Sequence, residues 1–257
     1  MTRDQAEAIF PYSELPKVQV NCPLCGQENA SILRTDRYGY AVPYAVCACG
    51  MEYLTEQLTR EGYDRLYRGG YRQLVQAFNG RAAGIRTTVE SAAPLLTFAR
   101  QTYGPALRGW RVIDVGGSTG VIGQALKPAA LTVLDPAPQE LPEGGIVGYI
   151  EDPIVGDYDL ALCIDMVDHL TNPLAALRNL RTVTPRLLLN YVDVRMVFMI
   201  QRMRVLKIDH PLYWNSRSIG RALHETGWSG ARGTYLATRD NGRPIYRSTL
   251  VACERKE

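Results

Sequence analysis

One short stretch, Val112-Ile113-Asp114-Val115-Gly116-Gly117-Ser118-Thr119-Gly120, restricts the fold of this chain more than any other. Arg111 to Val115 is a β-branched run that carries an acid near its end and closes on glycines. Val121 to Lys127 follows with helical spacing, and Pro128 stops it. A strand that feeds a glycine turn and then a helix belongs to a βαβ unit. The pattern continues. Leu131 to Leu134 reads as a strand ending in Asp135, Ile146 to Ile150 as one ending in Glu151-Asp152, and Tyr158 to Ile164 and Arg186 to Val192 as two more. Pro173 to Thr182 reads as a helix with proline at its first position. After a helical stretch near Ser216 to Thr226, the runs Ala231 to Thr238 and Ile245 to Cys253 flank Asn241-Gly242, a hairpin signal. The expectation is an α/β fold, a doubly wound and mostly parallel seven-stranded sheet ending in an antiparallel pair.

Ahead of that body lie Cys22-Pro-Leu-Cys25-Gly26 and Cys47-Ala-Cys49-Gly50, separated by alternating Tyr38, Tyr40, Val42, Tyr44 and Val46. Two such knuckles fold four thiolates onto one tetrahedral Zn²⁺, the glycines permitting the tight turns. Cys22, Cys25, Cys47 and Cys49 are therefore the expected metal ligands, in a closed site that takes no part in catalysis. Leu54 to Phe78 and Ile85 to Tyr103 show helical spacing, the first interrupted by Gly69 and Gly70. The expected organisation is a zinc ribbon over 1–53, a helical connector over 54–104 and the large domain over 105–257. Cys163 and Cys253 fall on expected strands and read as core residues. With 257 residues, 46% of them apolar, the chain has enough material for one such core.

A carboxylate and a glycine turn at the carboxyl edge of the first strand, with a second carboxylate after the next strand about 20 residues on, are suited to a nucleoside cofactor. These residues resemble the class I S-adenosylmethionine-dependent methyltransferases, a Rossmann-like family, over Arg111 to Cys253. The resemblance matches Asp114, Gly116, Gly117 and Gly120 to the family's donor-binding turn, with Ser118 where a third glycine is usual. It implies that Asp135, followed by Pro136, holds the ribose. It likewise implies that Glu151 and Asp152 frame the adenine, and that Asp165 to Pro173 faces donor and acceptor. His210-Pro-Leu-Tyr213-Trp214 resembles the family's substrate lid, with aromatic rings placed to stack on an acceptor. Methyl transfer to oxygen also requires loss of a proton, and histidine titrates near neutrality. His169 is the first candidate base and His210 the second. His224, inside a helix beside Glu225, reads as a solvated residue.

The ribbon, with eight of the 15 tyrosines preceding residue 85, is similar to bacterial methyltransferases of sugars, polysaccharides and secondary metabolites. The expected partner is a small polar acceptor such as a nucleotide sugar, methylated on oxygen or else on carbon. An RNA methyltransferase with a zinc finger is the alternative, but 29 Lys plus Arg against 26 Asp plus Glu leaves a net charge of only +3. The basic cluster Arg195, Arg202, Arg204 and Lys207 keeps that alternative open, though the diphosphate of a sugar nucleotide calls for the same side chains. Gly117 to Gly123 also resembles the nicotinamide turn of sugar-nucleotide epimerases. Those enzymes need Tyr followed four residues later by Lys, and no such pair exists here. A non-catalytic binding protein is the remaining class. No apolar run approaches a membrane span, and Asp4 and Glu7 interrupt the stretch where a signal peptide would be apolar, so a cytoplasmic location is expected.

Overall fold

The computed structural model describes residues 2–79, 93–194, 206–240 and 243–256. The N-terminal part contains α1 (Arg3–Ile9), β1 (Lys17–Gln19), β2 (Ile32–Thr35), β3 (Ala41–Val46), β4 (Glu52–Leu54), β5 (Glu56–Leu58), α2 (Arg60–Arg65) and α3 (Tyr71–Asn79). The remainder contains α4 (Ala93–Tyr103), β6 (Arg111–Val115), α5 (Val121–Ala125), β7 (Ala130–Asp135), β8 (Ile146–Val147), β9 (Leu160–Cys163), α6 (Pro173–Val183), β10 (Arg186–Tyr191), β11 (Leu212–Tyr213), α7 (Ser216–Glu225), β12 (Trp228–Asp240) and β13 (Arg243–Arg255).

Seven strands form one sheet in the order β12-β13-β10-β9-β6-β7-β8. β8, β7, β6, β9 and β10 run parallel, and β13 is antiparallel to both β10 and β12. The chain moves outward from β6 to β7 and β8, then returns to the other side of β6 as β9. That reversal opens a crevice at the carboxyl ends of β6 and β9, where a doubly wound sheet accepts its ligand. The strand period of two divides the core. Val112, Leu160, Leu162 and Leu188 pack with Leu95, Leu96 and Ala99 of α4, whereas Ile113, Val115, Ala161, Cys163, Leu187 and Leu189 pack toward α6 and α7. Burial on both faces suits a parallel sheet.

Two expectations about organisation need correction. Residues 56–58, placed in a helical connector by their spacing, are strand β5, which pairs with β1. The run is too short for propensity to outweigh a partner strand. The N-terminal sheet is also completed from elsewhere, because its order is β11-β4-β3-β2 and β11 comes from residues 212–213. Cys22, Leu24, Cys49, Met51 and Tyr53 accordingly share a core with Trp214, Ile219 and Leu223. The Asn215 amide caps α7 and donates to the carbonyl of Gly50 at 2.6 Å, tying the second knuckle to that helix. The helix expected over 85–103 is seen from Ala93, its earlier residues lying outside the described ones. Arg195, Arg202, Arg204 and the Asn241-Gly242 turn lie outside them too. Among the described residues, no helix is long and apolar enough to cross a membrane.

Candidate functional site

The turn after β6 is built around two buried carboxylates. Asp114 accepts the Gly123 N–H at 3.2 Å, and burial pushes its carboxyl up to about 7. Gly117 packs directly against it, since a Cβ there would lie 2.5 Å from Asp114 Cγ. Gly120 begins α5 with φ of 70°, and a Cβ on it would lie 2.7 Å from Val133. Only glycine satisfies both conditions. Asp135, at the end of β7, accepts the Ser118 N–H through Oδ2 at 2.9 Å and the Ala137 N–H through Oδ1 at 2.8 Å, across Pro136. Ser118 itself has φ of 51°. The serine that replaces the usual glycine thus occupies the left-handed region and is held there by Asp135, an arrangement that costs about 1–2 kcal/mol.

Asp165, just past β9, is a second non-glycine residue with positive φ, 55°. Its N–H donates to the Asn190 side-chain oxygen, and the Asn190 amide donates back to its carboxylate. Strained residues held by their neighbours at the carboxyl edge of a sheet are a recurrent mark of binding sites. Met166 follows and packs on Gly116, where a Cβ would lie 2.9 Å from that of Met166. Glu151 and Asp152 lie beyond β8. Glu151 accepts from the N–H and hydroxyl of Thr171 at 3.0 and 3.2 Å. Asp152 is half-exposed and pairs with both guanidinium nitrogens of Arg60, which holds its carboxyl below the usual range. Arg60 lies 3.6 Å above the Tyr149 ring, whose hydroxyl donates to Asp64.

Beside this edge the fold assembles a polar chamber. The His169 N–H bonds back to the Met166 carbonyl, which sets the histidine one turn beyond the residue on Gly116. Its Nδ1 lies 2.9 Å from the Tyr67 hydroxyl, and its ring meets that of His210 edge-on at 4.4 Å. His210 Nδ1 faces Asp168 at 3.8 Å, and its Nε2 faces Asp209 at 3.4 Å and the Lys207 ammonium at 3.2 Å. Burial keeps both imidazoles below their ordinary range, so both are neutral at neutral pH. Burial also pushes the Asp168 carboxyl up to about 7. Among the described residues, Asp168 Oδ1, both Asp209 oxygens and the hydroxyls of Tyr38 and Tyr63 are buried without a hydrogen-bond partner. Tyr63 stacks on Tyr67, and the charge of Asp209 reaches Tyr38, Tyr63 and Tyr213. Asp36 secures the wall by accepting from the N–H groups of Tyr38, Tyr40 and Ile208.

The cysteines converge. Sγ of Cys22 and Cys49 are 3.6 Å apart, those of Cys25 and Cys47 are 3.4 Å apart, and all four lie within 4.8 Å of one another. An ion with Zn–S bonds of about 2.3 Å requires sulfur separations of roughly 3.8 Å, so the residues fit tetrahedral zinc. The single spacer residue between Cys47 and Cys49 does not keep either sulfur out of the quartet.

The structure thus brings His169 and His210 together, and gathers Asp114, Gly116, Gly117, Ser118, Gly120, Asp135, Pro136 and Asp165 along one edge. Tyr213 and Trp214 depart from the expected lid. Trp214 is fully buried with its indole N–H on the Val167 carbonyl, and Tyr213 lies in β11, its ring edge-on to Tyr44. The Tyr213 hydroxyl is engaged by the Lys207 backbone, accepting its N–H and donating to its carbonyl, so both side chains serve packing where a lid was expected. His224 is exposed, and Cys163 and Cys253 are buried, as expected. Reading by sequence missed Asp209, and took Lys207 only as part of a basic cluster and Tyr67 only as part of the helical connector. The one available signal was the repeated Asp-His pair, Asp168-His169 and Asp209-His210.

The sequence model of a family described as "Methyltransferase domain" matches residues 65–231. No curated protein matches the chain. Among solved structures, a magnesium protoporphyrin IX methyltransferase from Synechocystis PCC 6803, with bound S-adenosylhomocysteine, is 18% identical at a TM-score of 0.50, covering 65% of this chain and 82% of its own. An S-adenosylmethionine-dependent methyltransferase from Leishmania major is 15% identical at 0.52, covering 70% and 77%. The small RNA methyltransferase HEN1 is 13% identical at 0.51, covering 69% of this chain but only 26% of that one. At these identities the likeness concerns the fold.

Proposed function

The chain belongs to the S-adenosylmethionine-dependent methyltransferases, and from that premise we propose that it methylates an oxygen of a small polar acceptor, such as a sugar or sugar nucleotide, bound in the histidine chamber. The observation that carries this reading is the group of buried, unpartnered polar atoms on Tyr38, Tyr63, Asp168 and Asp209 around His169 and His210. Buried polar groups are normally satisfied, and a hydroxyl-rich ligand satisfies donors and acceptors together.

The donor edge fits its cofactor. Gly117 and Gly120 let the turn pack closely on Asp114 and Val133, and Asp135 stands beside that turn at the end of β7, the place from which a carboxylate reaches a ribose in a doubly wound sheet. When bound, S-adenosylmethionine supplies an electrophilic methyl group. Asp114 and Ser118 keep the turn in shape, Asp165 lies at the edge shared with the acceptor, and Glu151 and Asp152 border the adenine side. His169 and His210, neutral and buried, activate the acceptor hydroxyl, with Asp168 beside His210 to balance charge as the proton leaves. Cys22, Cys25, Cys47 and Cys49 hold a structural zinc that fixes the knuckle under α7. The nicotinamide alternative falls with family membership, since it rested on the glycine turn alone.

The test is titration of S-adenosylmethionine into wild type and Asp135→Ala, followed by methyl-transfer assays on sugars, sugar nucleotides and short RNA with the product's methylated atom read by mass spectrometry and NMR. Methylation of a sugar hydroxyl is the expected outcome. Methylation of RNA alone would replace the acceptor reading.

A further inference from the structure

The chamber also contains a metal-ligand set. One ligand atom from each of His169, Asp209 and His210 lies within 4.8 Å of the other two. His210 Nε2 and Asp209 Oδ2 are 3.4 Å apart, the separation of neighbouring tetrahedral ligands bonded at about 2.1 Å. The Asp209 side chain is 2% exposed, and neither of its oxygens accepts a hydrogen bond among the described residues. A buried carboxylate is normally paired or bound to a metal. On the far side of the His210 ring, Nδ1 faces Asp168, in the place where a ligating histidine finds the carboxylate that orients it. The Lys207 ammonium, 3.2 Å from Nε2, occupies the side of the ring that faces Asp209.

We infer that His169, His210 and Asp209 bind a divalent first-row transition ion, in space now shared with the Lys207 ammonium. This rests on the chamber being the acceptor site and specifies how its histidines act. Two imidazoles and one carboxylate suit Zn²⁺, Fe²⁺, Co²⁺ or Mn²⁺ better than Ca²⁺ or Mg²⁺. Three protein ligands leave positions open, unlike the closed quartet of thiolates. An acceptor hydroxyl at an open position is held by its oxygen and gives up its proton more readily.

The experiment counts metal. Purified full-length chain is saturated with Zn²⁺, freed of loose ion by gel filtration and measured by mass spectrometry. Two ions per chain are expected in wild type and one in Asp209→Asn and His210→Ala, with donor affinity reporting that each variant is folded. Lys207→Met provides a change of opposite sign that removes no ligand. Co²⁺ titrated into chain whose cysteines already hold zinc should bind Lys207→Met at least tenfold more tightly than wild type, with an absorption spectrum free of thiolate charge transfer. One ion per wild-type chain, a second ion that survives both ligand variants, or unchanged Co²⁺ affinity in Lys207→Met would overturn the inference. If wild type holds one ion and His210→Ala still loses methyl transfer at unchanged donor affinity, the metal falls and the acceptor site stands. If His210→Ala retains full activity, the acceptor reading falls as well.

Discussion

The glycine turn and the histidine chamber both bury carboxylates, but they satisfy them in opposite ways. At the turn, Asp114 and Asp135 accept backbone N–H groups from Gly123, Ser118 and Ala137, so the acids shape the loop before any ligand arrives. In the chamber, the Asp209 carboxylate accepts no hydrogen bond among the described residues, and Asp168 keeps one oxygen unpartnered. A buried acceptor without a donor costs about 1–3 kcal/mol, so the chamber stores a demand that a ligand can meet. The turn is satisfied within the fold, whereas the chamber leaves buried polar atoms unpartnered among the described residues. One region should therefore respond to mutation through folding and donor affinity, the other through turnover.

The largest separation is expected from His210→Ala. Loss of a group that activates the acceptor should lower kcat by about 10²–10⁴-fold, while calorimetry finds donor affinity within about twofold of wild type. A loss of donor affinity equal to the loss of kcat would merge the two regions. Gly120→Val attacks the turn instead. Positive φ and the approach to Val133 together should cost about 3 kcal/mol or more, seen as a fall in melting temperature of roughly 10 °C with donor binding lost.

The difference in legibility has the same origin. The donor edge is read from one continuous stretch, because Asp114, the glycines and Asp135 are placed by two adjacent parallel strands whose order follows from the chain. The chamber draws on Asp36, Tyr38, Tyr63, Tyr67, Asp168, His169, Lys207, Asp209 and His210, which are joined only by tertiary packing. Aromatic spacing along Tyr63 and Tyr67 showed a helix but not the partner of its tyrosines. Tyr213 and the adjoining Trp214 misled for a related reason, since the two residues of β11, Leu212 and Tyr213, give no sequence sign that they pair with a strand about 160 residues earlier.

A smaller effect sharpens the contrast through pH. The Asp114 carboxyl is pushed up to about 7 by burial, above the ordinary value near 3.9 in the unfolded chain. The folded state therefore holds that proton more tightly, and its contribution to stability is full below about pH 4 and lost as pH rises to about 7. Asp114→Asn, which keeps an acceptor for Gly123, should leave the melting temperature near pH 4 little changed. At pH 8 it should stabilise the protein by roughly 2 kcal/mol, a rise of several degrees. Equal melting curves at both pH values would show that the carboxylate is not a buried cost. The smallest effect is expected at Arg60, whose pairing with Asp152 is half-exposed. Arg60→Ala should cost less than about 1 kcal/mol, and donor affinity should fall no more than about threefold. A larger fall would move Arg60 and Asp152 from the rim of the donor site to its centre.

The central claim is that the donor edge and the histidine chamber are separately encoded, and titration of S-adenosylhomocysteine into wild type, Asp135→Ala and His210→Ala tests it most directly. The account predicts binding to wild type, at least tenfold weaker binding to Asp135→Ala and unchanged binding to His210→Ala. Unimpaired binding to Asp135→Ala, or its loss in a folded His210→Ala, would contradict it.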